Sequence, residues 1–191
     1  METIIQTMKK ALMSILLIFS QFVLCAQTNT VSVAETSGSV TLTFLTPTVA
    51  GNPVVQVTNS NNWLNYNTTV IPSSTRSSIS VQLETTLPPG FQLQILAGTY
   101  QGTWGGSGAA PNRRGTGYTS SAVGDSPGIP ATVVTVTYLP QVLVSNIGVF
   151  DTGSGTYVGH QLTYTLSISD YTKVRSANTS VSVLYTITQQ Q

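Results

Sequence analysis

The chain has 191 residues and very few charges, with seven Lys or Arg, six Asp or Glu, one His and one Cys. A formal net charge of +1 excludes the basic surface by which proteins bind nucleic acids and anionic membranes. Thr, Ser and Val contribute 30, 22 and 21 residues, and these residue types with little Lys, Glu and Ala favour strands over helices. The composition therefore predicts an all-β protein.

Residues 1–26 have the features of a secretory signal peptide. Lys9 and Lys10 precede an apolar run over residues 11–24, and a small residue, Ala26, follows. This order is typical of cleaved signals. The run is interrupted and falls short of the ~20 apolar residues of a transmembrane helix. We expect cleavage after Ala26, which would place the mature chain outside the cell or on its surface, with no transmembrane span.

Cys25 leaves one alternative open, in which a bacterial lipoprotein signal is cleaved before it and the Cys carries a lipid. Lipoprotein signals normally have a small residue directly before this Cys, and here that residue is Leu24. Cleavage after Ala26 is therefore favoured. The mature chain then has no cysteine, which excludes a disulfide framework, a thiol nucleophile and thiolate metal ligands.

Residues 27–191 are predicted to form a single domain. They carry five positive and five negative side chains, so copies of the mature chain repel one another little. Such a balance favours self-association. A chain of this length buries roughly 70% of its unfolded surface and needs no disulfide or metal in order to fold.

Apolar and polar side chains alternate in many stretches, which is typical of strands with one buried face. These stretches are residues 40–44, 79–84, 91–95, 134–138, 162–169 and 181–187. A tight reversal is predicted at residues 88–90 and a break at Pro140. The pattern predicts an antiparallel, Ig-like two-sheet β-sandwich, with an up-and-down barrel as the competing architecture. Trp63 and Tyr66 are predicted to be core residues.

Residues 98–128 interrupt the strand pattern with a long Gly-rich loop. Loops of this length in compact domains are usually functional or disordered. Trp104, Arg113, Arg114 and Tyr118 are the candidate ligand residues, because aromatic rings and guanidinium groups suit sugars or a partner surface. The alternative is a solvated loop whose Trp packs back on the sandwich.

Catalytic chemistry has little support in the sequence. Residues 151–154 match the Asp-Thr-Gly-Ser tetrapeptide of aspartic proteases, but those enzymes need two aspartates and no second copy exists here. The other interpretation is a Gly-rich hairpin turn in which Asp151 bonds its own backbone. His160 is the single histidine, predicted to lie near a strand start, and no cluster of ligands suggests a metal or cofactor. We therefore expect a protein that is not an enzyme.

The end of the chain contains two patterned strands, Gly-x-x-Leu-x-Tyr-Thr at residues 159–165 and Val-x-Val-x-Tyr-Thr-Ile at residues 181–187. Together they resemble the closing strands of spore-coat-U-like and archaic chaperone–usher pilin subunits. The resemblance covers about the last quarter of the chain. The paired cysteines common in such pilins are missing, and three Gln residues follow the last strand.

This resemblance implies an incomplete Ig-like sandwich that is finished by an extended strand from the next subunit. Val31 and Val33, in residues 28–33, are the candidate donor strand, and they could equally be the sandwich's own first strand. The expected function is a secreted or cell-surface structural or adhesive subunit of a fimbrium. Its expected partners are other surface subunits, a periplasmic chaperone and glycans, and no cofactor or nucleic acid. The alternative is a carbohydrate- or partner-binding module that uses the 98–128 loop.

Overall fold

A computed structural model describes residues 29–35, 40–44, 54–68, 76–101, 126–175 and 179–190. Within these ranges every regular element is a β-strand and every pairing is antiparallel. The described residues include no helix long and apolar enough to cross a membrane. The predicted signal peptide, with Cys25 and Ala26, lies outside the described residues.

Ten strands are assigned in the described part of the chain. In chain order they are β1 (Thr30–Glu35), β2 (Val57–Thr68), β3 (Arg76–Leu83), β4 (Phe91–Gln101), β5 (Pro127–Pro130), β6 (Val134–Thr135), β7 (Gln141–Ile147), β8 (Phe150–Asp151), β9 (Gly159–Ile168) and β10 (Val183–Gln190). One sheet has the order β1-β2-β9-β4-β6, with β8 also paired to β2. The other sheet has the order β10-β3-β7-β5.

The hydrophobic core draws on both sheets, as in a β-sandwich. Alternate residues of each strand point to one face of its sheet, and these side chains meet in a single buried cluster. Leu64, Ile95 and Leu162 come from the six-stranded sheet, and Ile79 and Leu143 from the four-stranded sheet. Two separate sheets share the core, so the predicted sandwich describes the architecture better than a closed up-and-down barrel.

Most of the predicted strands are confirmed, and two differ in an informative way. Residues 40–44 keep the predicted alternation of burial, and Val40 and Leu42 pack against the core, but no ladder is assigned to them. Tyr138 is 55% exposed, so its predicted place on a buried face is wrong. The Thr137 hydroxyl accepts the Leu139 N–H (3.2 Å), and this local turn ends the alternation before Pro140.

Strand β2 has the weakest strand signal in its sequence. It contains five Asn residues, a type that is depleted in strands. Nevertheless it pairs with β1 on one side and with β8 and β9 on the other. Tertiary pairing on both sides outweighs the local preference.

A pair of tyrosines connects the two sheets inside the core. The hydroxyls of Tyr164 on β9 and Tyr185 on β10 lie 2.8 Å apart, and burial raises the pKa of Tyr185. The Tyr185 hydroxyl therefore stays protonated, and the two hydroxyls share a hydrogen bond in an apolar setting.

We expect Tyr185→Phe to lower the free energy of unfolding by about 1 kcal/mol, because the Tyr164 hydroxyl loses this partner. The double variant Tyr164→Phe/Tyr185→Phe should cost less than the sum of the two single changes. Urea unfolding measures each value. Tyr138→Phe, at an exposed tyrosine, is the matched control, and additive single changes would contradict the coupling.

Candidate functional site

Strand β10 forms an edge of the four-stranded sheet and carries no Lys, Arg, Asp, Glu or Pro in its eight residues. Natural proteins usually blunt such an edge with charges, proline or a bulge. Leu184, predicted to lie on the otherwise polar face of this strand, is 38% exposed. Within the described strands, this edge is thus eight residues long and carries neither charge nor proline.

The hydrogen-bond pattern between β10 and β3 shows which main-chain groups of β10 face outward. The Glu84 N–H donates to the Ser182 carbonyl (3.0 Å), whereas the Leu83 N–H points the other way, to the Thr137 carbonyl (2.8 Å). Because bonded pairs alternate along an antiparallel ladder, Val183, opposite Leu83, directs its main-chain groups away from β3. The same holds for Tyr185 and Ile187, which follow at two-residue intervals.

The side of the sandwich next to this edge is incompletely covered. The apolar side chains along β1 and β10 pack against the core but are only partly buried; they are Val31, Val33, Val183, Tyr185 and Ile187. At the opposite side, Val134 and Val136 are 7% and 4% exposed. The apolar seam between β1 and β10 therefore retains solvent contact.

The opposite edge is protected in two ways. Two of the four residues of β5 are prolines, Pro127 and Pro130, which have no N–H to offer a partner. After β5, which pairs with β7, the chain crosses to the other sheet. There it pairs with β4 through β6, which is only two residues long. The described sheets thus have one guarded side and one open side.

The candidate donor residues Val31 and Val33 lie in β1. In this structure β1 pairs with β2 of its own chain, with Val31 opposite Tyr66 and Val33 opposite Leu64. A role as donor requires β1 to exchange this pairing for an edge on another copy. Donation remains a prediction.

His160 is fully buried and lies in a cluster of aromatic rings. Its ring stacks on Tyr66 (centroids 5.8 Å apart, 15° between planes) and meets Tyr100 edge-on (6.0 Å). The imidazole Nδ1–H donates to the Gly98 carbonyl (2.7 Å), which can only accept. Nε2 lies 2.9 Å from the Tyr66 hydroxyl and 3.1 Å from the Pro127 carbonyl, and the hydroxyl donates to the same carbonyl.

These contacts join the two stems of the predicted ligand loop. Gly98 lies on β4 at a break in the β4–β9 register, which frees its carbonyl from the ladder. Pro127 begins β5, so one imidazole contacts both the outgoing and the returning chain. The candidate ligand residues Trp104, Arg113, Arg114 and Tyr118 lie outside the described residues.

The Asp151 segment makes the predicted bond to its own backbone, but the predicted hairpin is wrong. Its carboxylate accepts the Gly153 N–H (2.8 Å) and the Asn67 Nδ2–H (3.3 Å), so the interpretation that Asp151 bonds its own backbone is confirmed. The segment is not a hairpin, because β8 and β9 both pair with β2. Within the described ranges, no three His, Cys, Asp or Glu side chains are grouped to hold a metal ion.

Trp63 and Tyr66 separate to opposite faces of the six-stranded sheet. Tyr66 belongs to the hydrophobic core, as predicted. Trp63 is buried as predicted, at 3% exposed, but it lies outside the main cluster, on the outer face, where its ring contacts that of Tyr157 (centroids 5.6 Å apart). The odd spacing of residues 63 and 66 already implies opposite faces in a strand.

Acidification below pH 6.5 is expected to destabilise the fold through His160. Burial lowers the pKa of His160 below its ordinary value of 6.5, and this effect exceeds the rise due to the Gly98 and Pro127 carbonyls. The unfolded chain therefore takes up a proton that the folded chain does not, so stability is full above pH 6.5 and falls below it. The slope approaches about 1.4 kcal/mol per pH unit.

Because the chain has a single His, urea unfolding between pH 7.5 and 5.5 isolates this group. In His160→Gln the pH dependence in this range should disappear. An equal slope in the variant, or no slope in the wild type, would show that the imidazole does not control stability.

The described residues thus present an open edge at β10, a buried imidazole that holds two loop stems, and a covered Trp on an outer face. No protein-family model, curated protein or solved structure matches the chain.

Proposed function

We propose that this protein is a secreted or cell-surface structural subunit, fimbrial in type, that assembles by adding a strand from another copy to β10. The observation that carries the proposal is the edge itself, eight residues long and without charge or proline. An incoming strand would bond the outward main-chain groups of Val183, Tyr185 and Ile187. It would also cover the seam between β1 and β10.

The energetic gain comes from main chain and side chain together. Each new hydrogen bond contributes about 1 kcal/mol, and each apolar side chain that leaves water contributes about 1.5–3 kcal/mol when fully buried. Alternate side chains of the added strand would face the half-buried seam, and the others would lie near Leu184. This division gives both affinity and register.

Strand β1 of a neighbouring copy is the proposed donor. Its core contacts come from two valines, Val31 and Val33, that are only partly buried. The six residues of β1 lie at the edge of their sheet and pair with one strand only. Leaving β2 therefore costs one ladder, and pairing with another copy restores one.

The resemblance to pilin subunits supports this function, because the resembling residues 159–165 and 181–187 fall in or next to β9 and β10. The predicted signal peptide agrees with a role outside the cell. The near-zero charge of the mature chain adds to the case, since it leaves little repulsion between copies. No catalytic role is proposed for Asp151, which holds a local turn, or for His160, whose ring nitrogens face groups of the fold.

Charging the open edge tests the proposal. Leu184→Lys places a charge on an exposed side chain of β10, where it should block strand addition without disturbing the core. Sedimentation velocity of the mature chain should show assemblies in the wild type and monomers in the variant. Ile129→Lys, at a 59% exposed position on the guarded edge, is the matched control and should assemble normally. Equal behaviour of the two variants would reject the edge.

Removing residues 27–36 tests the donor. If β1 is donated, the shortened chain should lose assembly while its β10 edge still accepts wild-type chains in a mixture. If the shortened chain assembles alone, the donor is another segment. Global unfolding of a chain that was monomeric before the deletion would show that β1 serves its own sandwich only.

A further inference from the structure

The loop over residues 152–158 interrupts a pairing that would be continuous without it. Asp151 of β8 pairs with Asn67, and His160 of β9 pairs with Leu64, all along the same side of β2. The nine residue steps from Asp151 to His160 therefore face only three residue steps of β2, from Asn67 to Leu64. The strands need no such loop to reach their positions, so its presence calls for another reason.

Buried side chains hold this loop in one conformation. The amide of Asn65, 2% exposed, accepts the Gly155 N–H (3.0 Å) and donates to the Val158 carbonyl (2.9 Å). The Thr152 hydroxyl, fully buried, accepts the Tyr66 N–H (2.8 Å). Both partners of the loop lie on β2, so the loop is fixed relative to the sheet.

Tyr157 is presented to solvent in an unfavourable backbone conformation. Its φ is +68°, in the left-handed region where a bulky side chain is a genuine outlier. Glycine or Asn would adopt this conformation more readily. The ring contacts Trp63 and is nevertheless 56% exposed. Backbone outliers of this kind are concentrated at functional sites. The exposed ring of Tyr157 is therefore a candidate binding surface.

The outer face beside the ring carries polar side chains among the described residues. Asp151 lies beside Asn67, four residues from Trp63 along β2, or about 13 Å at about 3.3 Å per residue. Its carboxylate accepts two N–H groups and retains lone pairs for further donors. The neighbouring β1 adds the exposed Thr30 and Ser32 opposite Asn67 and Asn65.

We propose that the Tyr157 ring, in tilted contact with Trp63 (53° between planes), is a carbohydrate-binding platform on the outer face of the six-stranded sheet. A pyranose ring presents C–H groups to an aromatic face and hydroxyls at its rim, which match the ring of Tyr157 and the carboxylate of Asp151. The span from Trp63 to Asn67 exceeds one sugar ring, so the ligand is an oligosaccharide. Tyr157 and Asp151 belong to neither β1 nor β10, so strand addition at β10 would leave both side chains in place.

Trp63 provides a built-in reporter, since its ring contacts that of Tyr157 (centroids 5.6 Å apart). The mature chain has one other Trp, Trp104, so Trp104→Phe isolates the signal. Neutral hexasaccharides of glucose, mannose, xylose and N-acetylglucosamine are titrated into this background by calorimetry and fluorescence. At least one should bind and shift the Trp63 emission, and its monosaccharide should bind more weakly.

Tyr157→Asn removes the ring and suits the left-handed backbone, so the variant should fold. We expect it to weaken binding of that hexasaccharide by about tenfold or more, whereas Tyr157→Phe should retain most of it. Tyr171→Asn is the matched control, because Tyr171 is also 56% exposed, and it should bind normally.

Three results would overturn the platform. One is the absence of binding across the panel, and another is equal affinity of the Tyr157→Asn and wild-type proteins. The third is a stronger response to choline than to any hexasaccharide, which would identify a cation site made by the ring and Asp151. A protein that assembles but fails these tests would leave the proposed subunit function intact.

Discussion

One end of the sandwich, where β4 ends and β5 begins, depends on the contacts of the buried His160 imidazole. It lies on β9, bonds the Gly98 carbonyl of β4, and lies against the Pro127 carbonyl of β5, so it connects one sheet to the other. Buried carbonyls without donors are costly, and here one ring and the Tyr66 hydroxyl serve two of them. The same contact fixes where the chain leaves one sheet and where it enters the other.

The two sides of the sandwich follow opposite rules. At β5 and β6 the chain crosses between sheets, and two prolines remove edge donors. At β1 and β10 the sheets end in strands rich in Val, Thr and Ile, and the apolar side chains between them are only half covered. The two sides of the domain therefore differ: the β5 and β6 side is closed, and the β1 and β10 side is open. The sparse charge of the chain fits such an arrangement, because edge lysines would oppose association.

Alternation of polar and apolar residues was sufficient to predict β3, β4, β9 and β10, since each buries one face against a common core. It failed for β2, whose Asn-rich sequence is stabilised by partners on both sides and by a loop that arrives from far along the chain. The role of His160 could not be predicted either, because Gly98 and Pro127 are distant in sequence and ordinary in type. For Tyr157, by contrast, a signal exists in the sequence: a tyrosine set among glycines at residues 153, 155 and 159.

The loop over residues 152–158, between β8 and β9, is a place where the length of the chain can vary. Because Asn65 of β2 holds both Gly155 and Val158, the tip between these two residues can change in size without moving any strand. Insertions are tolerated best where both ends of a segment are held independently of what lies between them. This tip is therefore a natural place to graft a foreign peptide onto the outer face of the six-stranded sheet, and a place where related chains could diverge in what they contact while sharing one framework.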